Sequence, residues 1–307
     1  MGWVWVNTNM KCSSSMQQQR KSDWVFWLVF TVPPVFRMET TGQYDKWWKS
    51  IKMVTGASEG IGRAYAFALA ERGMNVVIMS RTKVTLDQVA NEIADKTGQK
   101  VKVIVTDFTK ENVFGEIKDQ LEDLNIGILI NNVGMLPNFI PSKFLECADL
   151  DQTITKVINC NVKTMAKMCR IILPGMANRG KGLIVNISSG VACIPFPLYT
   201  LYSASKVFVE RLSQGLHAEY KDKGVIIQAV APFGVSTRMA GYVHTNIVTP
   251  SPEDFVKSSL RYLRAGDKTF GSVCHTLMGW VLQSVPLKLL HAESMLHSLQ
   301  HYVKKKP

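Results

Sequence analysis

The sequence predicts a doubly wound α/β fold, a parallel sheet with helices on both faces, built as a single domain with a C-terminal helical extension. Three observations carry this. Six short apolar, β-branched runs recur between residues 51 and 230 and are separated by longer stretches with helical periodicity. The first run leads straight into a glycine-rich turn that opens a helix. A chain of 307 residues with 46% hydrophobic content is also large enough to bury a core of this size.

Residues 1–50 stand apart, with Trp, Ser and Gln prominent and no lasting period. The apolar run 24–32 ends at Pro33 and Pro34, far short of the ~20 residues a membrane-spanning helix needs. No small-residue cleavage site follows it. Two readings remain open, a poorly ordered leader or an interfacial anchor with tryptophans at head-group depth beside Arg20 and Lys21.

The main domain is expected over 51–270. Strands are predicted at 51–54, 75–79, 101–105, 126–130, 182–187 and 225–230, and helices at 60–72, 84–96 and 202–220. Lys52 falls inside the first strand, where a charge is costly unless it reaches solvent, so that strand is expected to be imperfect. Residues 271–307 form the extension. They are apolar and helical in pattern, broken at Pro286, and expected to cover the substrate and to bury either against the core or in a membrane surface.

The formal charge of +12 invites a nucleic-acid reading, but the 36 basic residues are spread along the chain. They gather only at Lys304, Lys305 and Lys306 and loosely at Arg179 and Lys181. Nucleic acid is therefore not an expected partner, and an anionic cofactor or an acidic membrane face accounts for the charge. The six cysteines form no CxxC pair, and no histidine stands at a zinc-site spacing. They read as reduced core thiols, and metal chemistry is not expected.

The first strand is followed by Thr55-Gly56-Ala57-Ser58-Glu59-Gly60-Ile61-Gly62. Glycines here let the backbone turn tightly and approach a pyrophosphate, whose charge is met by helix N-terminal amides. Gly56, Ser58, Gly60, Ile61 and Gly62 are the candidate contacts. An NAD enzyme carries an acid at the end of the second strand to hold the ribose 2′-hydroxyl, whereas this chain has Ser80-Arg81-Thr82. The Arg81 cation suits a 2′-phosphate, so NADPH/NADP+ is the expected cofactor. Asp107, after the third strand, reads either as a contact to the adenine amino group or as a loop cap. After the fourth strand, Asn131 and Asn132 carry amides that brace the sheet end, and Gly134 leaves room for the adenosine.

Tyr202 and Lys206 lie four residues apart on one helical face. A tyrosine near its reference pKa of ~10 keeps its proton at neutral pH. A neighbouring cation stabilises the phenolate left after that proton is given to a reduced carbonyl. Spacing alone is weak, since Tyr302 and Lys306 repeat it. Placement strengthens it, because Ser188 and Ser189 follow the fifth strand and Tyr202 opens the next helix, so both face one edge of the sheet. Asn161 sits in a helical stretch, where asparagine is unfavourable unless it bonds something specific.

Taken in order, TGxxxGxG at 55–62, NNxG at 131–134, Asn161, Ser189 and the Tyr202/Lys206 pair resemble the short-chain dehydrogenase/reductase family, whose fold is Rossmann-type. The resemblance implies that Ser189, thirteen positions before Tyr202, is the catalytic serine. It implies that Asn161 holds a water linking Lys206 to solvent. Pro232-Phe233-Gly234-Val235-Ser236-Thr237 is similar to the family's loop after the sixth strand, with Val235 and Thr237 contacting carboxamide and phosphates. The segments NNVGMLPN (131–138), NISSG (186–190), PFPLYTLYSASK (195–206) and TNIV (245–248) are similar to the family's 17-ketosteroid reductases. That implies reduction of androstenedione to testosterone, an apolar ketone, on the cytosolic face of the endoplasmic reticulum membrane, and leaves a homodimer open. The basic end, 304–307, resembles a dilysine retrieval signal. Very-long-chain 3-oxoacyl-CoA reduction is the alternative within the family, and a catalytically silent dinucleotide-binding scaffold is the alternative outside it. The loop 191–198 and the chain from Met239 are expected to wall the pocket.

Overall fold

The computed structural model describes residues 50–304. The N-terminal segment with its two readings lies, up to residue 49, outside the described residues, as do residues 305–307 of the basic end. Seven strands form one parallel sheet in the order β3-β2-β1-β4-β5-β6-β7. They are β1 (Ile51–Thr55), β2 (Val76–Ser80), β3 (Val101–Val105), β4 (Ile126–Asn131), β5 (Gly182–Ile187), β6 (Val225–Val230) and β7 (Lys268–Thr269). Six match the predicted runs to within a residue at each end. The seventh is two residues long and pairs only with β6.

The helices between the strands are α1 (Gly60–Ala70), α2 (Lys83–Thr97), α3 (Phe114–Leu121), α4 (Leu150–Val157), α5 (Thr164–Asn178), α6 (Thr200–Tyr220) and α7 (Pro252–Arg261). A π-helical turn, Ile158–Lys163, joins α4 to α5. Strand side chains alternate between two apolar layers. Val54, Ile78, Ile130 and Val185 pack beneath α1, α2 and α7, where Leu69, Leu86 and Phe255 meet them. Met53, Val77, Leu129 and Ile184 face the other side, against Ile117 of α3 and Met168 and Ile172 of α5. Both faces are therefore covered, as the continuous apolar runs require.

Lys52 is fully buried, and β1 accommodates it with a register shift against β4 between Ile51 and Lys52. Its ammonium turns back along the chain to the carbonyl and, at 3.0 Å, the hydroxyl of Ser50. Burial, and after it the Lys181 charge, lowers its pKa to about 8. The rest of β1 pairs regularly with β2, so the imperfection stays at the strand's entry, away from the turn that follows.

The extension folds as α8 (Val273–Ser284), α9 (Leu287–Leu290) and α10 (Glu293–Lys304), with the break at Pro286. His275 and Gly279 of α8 are buried, and Phe270 fills the space a Cβ at Gly279 would need. Val273, Leu277 and Val281 on the outer side are exposed. One side of α8 is thus against the core, and the other is apolar and open. No described helix is long and apolar enough to cross a membrane.

Candidate active site

Strand order reverses between β1 and β4, and at the carboxyl ends of these strands lies a cavity of about 630 Å³. Its floor at one end is the glycine turn. Gly56 and Gly60 take φ of +65° and +56°, a left-handed conformation that only glycine adopts at no cost. Gly62 stands behind the wall: a Cβ there would lie 2.2 Å from the Gly56 carbonyl oxygen and 2.5 Å from Asn132 Nδ2. The turn is held from β4, because Asn132 Nδ2 donates to the carbonyls of Thr55 and Gly56, each at 3.1 Å. Thr55 Oγ1 in return accepts from the Asn132 and Val133 amides at 3.0 and 3.1 Å. No side chain caps the start of α1. The donor set and the space left by absent Cβ atoms fit a pyrophosphate.

Ser58 and Ile61 line the same end, and Ser58 Oγ meets Ser80 Oγ at 3.1 Å. Arg81 faces the cavity at the tip of β2, and no carboxylate stands among residues 79–82. Glu59, which also lines the cavity, is paired with Arg238 at 2.5 Å. A 2′-phosphate placed at this end would meet a cation. Asp107 lines the cavity too, and its Oδ1 accepts from the Thr109 amide at 3.0 Å and hydroxyl at 2.8 Å. The loop cap is real, and the cavity position keeps the adenine contact open. Burial works to raise its pKa, but the Thr109 bonds and the Arg81 and Lys110 charges outweigh that and hold the carboxyl below its usual range.

At the reacting end, α6 presents Tyr202 and Lys206 one turn apart, with Lys206 Nζ 5.7 Å from the Tyr202 ring centroid. Lys206 Nζ donates to the Ile187 carbonyl at 2.9 Å, and a Cβ on Gly134 would come to 3.1 Å from it. Glycine at 134 thus leaves room for the ammonium. Asn161 lies in the π-helical turn, a feature frequent at functional sites. Its Oδ1 accepts from the Met135 amide at 2.8 Å, and its Nδ2 donates to the Met135 carbonyl and to Ser205 Oγ, both at 3.0 Å. The two serines part company. Ser188 turns inward to the Lys206 carbonyl at 2.9 Å, whereas Ser189 hydrogen-bonds Tyr202.

Burial pushes the Tyr202 phenol up to about 12, with Ser189 pulling against it and Tyr199 adding to it. Burial also lowers Lys206 to about 8. The phenol is accordingly fixed as a proton donor across neutral pH, and the ammonium is held close to its titration range. This arrangement can deliver a proton to a carbonyl oxygen and then stabilise the phenolate.

Val235 and Thr237 line the cavity as expected, and Thr237 lies against Gly60. Val191 and Phe196 of the predicted loop, and Met239, Val243 and Val248 after it, form an apolar wall. Met278 is the extension's contribution to that wall among the described residues. A further apolar part of the lining was not foreseen. It consists of Met135, Leu136 and Phe139, together with Tyr199, whose ring meets Tyr202 edge-on at 6.5 Å and whose hydroxyl donates to the Phe139 carbonyl at 3.4 Å. The signal was present in the apolar residues directly after Gly134, at a strand end already assigned to the site.

The family model for short chain dehydrogenase matches residues 50–247. A 17-beta-hydroxysteroid dehydrogenase type 3 of Danio rerio is 56% identical over 252 residues, covering 82% of each chain. A very-long-chain 3-oxoacyl-CoA reductase of Anas platyrhynchos is 48% identical over 235 residues, 76% of this chain and 75% of that one. Among solved structures, a short-chain dehydrogenase from Sphingobium yanoikuyae in complex with NADPH superposes with a TM-score of 0.68 at 31% identity, over 79% of this chain and 96% of the other.

Proposed function

Because this chain belongs to the short-chain dehydrogenase family, we propose that it is an NADPH-dependent reductase of a 17-ketosteroid, converting androstenedione to testosterone. The observation that carries the reading is a single cavity with Arg81 at one end, the Ser189–Tyr202–Lys206 cluster at the other, and an apolar wall beside that cluster. The likeness to steroid dehydrogenases, at higher identity than to acyl-CoA reductases, supports the substrate.

Held by the glycine turn and Arg81, the bound NADPH would supply the hydride for the carbonyl carbon. Ser189 and Tyr202 hold the carbonyl oxygen by hydrogen bonds, and Tyr202 gives its proton to that oxygen as negative charge gathers there. Lys206, fixed by the Ile187 carbonyl, stabilises the phenolate, and Asn161 braces the Met135 backbone beside it. Burial keeps the phenol protonated, so the proton is in place when the carbonyl oxygen needs it.

The test is NADPH oxidation with androstenedione and, separately, with a long-chain 3-oxoacyl-CoA. Steroid turnover supports the proposal, and turnover of the acyl-CoA alone transfers the mechanism to the other substrate. Two further results are expected. Arg81→Asp raises the KM for NADPH on the order of a hundredfold, since it replaces a charge-assisted contact with repulsion, and changes the KM for NADH much less; equal effects on both cofactors would remove Arg81 from the 2′-phosphate. The second concerns pH. Lys206 must be protonated to stabilise a phenolate, and burial places its pKa at about 8, so kcat for reduction falls as pH rises through that value. A flat kcat from pH 7 to 10 under chemistry-limited conditions would detach Lys206 from the proton transfer.

The same resemblance supports association with the cytosolic face of the endoplasmic reticulum membrane, and the exposed apolar side of α8 is compatible with a bilayer surface. The homodimer stays as a second proposal, tested by light scattering of the purified chain.

A further inference from the structure

His275 is fully buried on α8, outside the stretch that the family model matches. Its two ring nitrogens reach opposite ends of one loop. Nδ1 lies 3.3 Å from the Phe233 amide and Nε2 lies 3.0 Å from the Val248 carbonyl. A backbone amide can only donate and a carbonyl can only accept, so one neutral tautomer satisfies both, with Nδ1 accepting and the Nε2 hydrogen donated. Burial lowers the imidazole's pKa, the Val248, Phe270 and Gly234 backbone contacts opposing it, which keeps that tautomer neutral.

The loop so bridged, 233–248, carries Val235, Thr237, Met239 and Val243 into the cavity. Within it Ser236 Oγ donates to the Val243 carbonyl at 2.6 Å and the Tyr242 amide donates to the Thr237 carbonyl at 2.9 Å, and across its base the Ser236 amide donates to the Pro250 carbonyl at 3.0 Å. The last is one backbone bond across the base of the loop, between residues just inside and just beyond its ends. The imidazole adds a second bridge, at Phe233 and Val248 themselves, and it is itself anchored. The His275 amide donates to Ser272 Oγ at 3.1 Å, and the ring packs edge-on to Phe233 at 5.9 Å and against Phe255 of α7 at 5.7 Å.

We infer that His275 is a positioning residue for the ketone site: by joining the Phe233 amide to the Val248 carbonyl it holds the loop 233–248 at the spacing that forms the apolar wall, and so sets substrate affinity more than the rate of the chemical step. This rests on the reductase reading. The role predicts a split between KM and kcat, because the loop touches the site's wall while Ser189, Tyr202 and Lys206 are carried by β5 and α6. It also gives the C-terminal extension a second function besides the Met278 contact, that of closing a loop that precedes it in the chain.

The experiment compares full-length protein with His275→Leu, which loses both bonds, and His275→Gln, which keeps an amide donor for the Val248 carbonyl. Two readouts are taken, steady-state ketone reduction and hydrogen exchange of peptides spanning 233–248. For His275→Leu the expected results are a ketone KM raised about tenfold at a kcat within about threefold, and loop exchange accelerated about tenfold with β1, β4 and β5 unchanged. His275→Gln falls between. A folded His275→Leu with unchanged loop exchange, or with kcat lost at constant KM, overturns the inference. If His275→Leu does not fold, His275→Gln decides by the same two criteria. If the unaltered protein reduces no ketone, the reductase reading fails, and loop exchange alone then decides for or against the staple.

Discussion

Tyr202→Phe lowers kcat for ketone reduction by about 10³-fold while leaving NADPH affinity within a few fold. The size follows from what the hydroxyl does, since a positioned general acid contributes roughly 10²–10⁴ in rate. The selectivity follows from the packing. The ring is buried on α6 between Tyr199 and the Lys206 stem, and removing one oxygen leaves that packing in place. Ser189 loses a partner but lies at the cavity surface, where water can replace it. Cofactor binding is read by fluorescence titration and turnover by NADPH oxidation. Residual activity above about a tenth would mean that another group supplies the proton.

Gly62→Ala is expected to abolish cofactor binding with a loss of stability. Nothing about the residue's own conformation demands glycine; the demand comes from its neighbours. A methyl carbon 2.2 Å from the Gly56 carbonyl oxygen and 2.5 Å from Asn132 Nδ2 cannot be accepted without moving the turn off Asn132. That movement breaks the two bonds by which β4 holds the turn. Overpacking of this kind costs about 1–3 kcal/mol, a fall in Tm of several degrees in a domain of this size. Gly115→Ala is the control. It lies in α3 with nothing within 4 Å of the added carbon and should be neutral or slightly stabilising, by up to about 1 kcal/mol. Equal effects at the two positions would refute the steric account.

The parts of this fold that are set by local chemistry were legible in the sequence. Strands buried on both faces announce themselves as apolar runs, and the glycine turn, Ser189, Tyr202 and Lys206 follow from their places at strand ends. Features that depend on distant partners were not legible. The strand at Lys268–Thr269 is two residues long with no period to detect, and exists because the edge of β6 offers it a ladder. The π-helical turn around Asn161 has no compositional mark of its own. The family resemblance singled out Ser189 over Ser188, and in the structure the Lys206 carbonyl draws Ser188 inward. His275 escaped notice because a lone histidine in an apolar helix reads as an ordinary core residue until its two partners are seen. Lys52, foreseen as a difficulty, is resolved by a local register shift that the sequence could not reveal.

The burial of Lys206 has a thermodynamic consequence. An ammonium held at about 8 in the native chain and near 10.5 in the unfolded one makes the unfolded state the better proton acceptor between those values. Below about pH 8 the native state therefore carries the whole penalty, on the order of 3 kcal/mol, and this group's contribution to the unfolding free energy climbs as pH rises from 8 towards 10.5. Lys52, also lowered to about 8, acts in the same direction, and the raised thiols of Cys160 and Cys169 oppose both above about pH 9. The Lys206 share is therefore read by comparing denaturant melts of the protein with those of Lys206→Met; a difference that does not shift in favour of the unaltered protein as pH rises from 8 would contradict it. At neutral pH the protein folds against the group its proton chemistry depends on, so the form of Lys206 that favours folding and the form that serves the reaction lie on opposite sides of one titration.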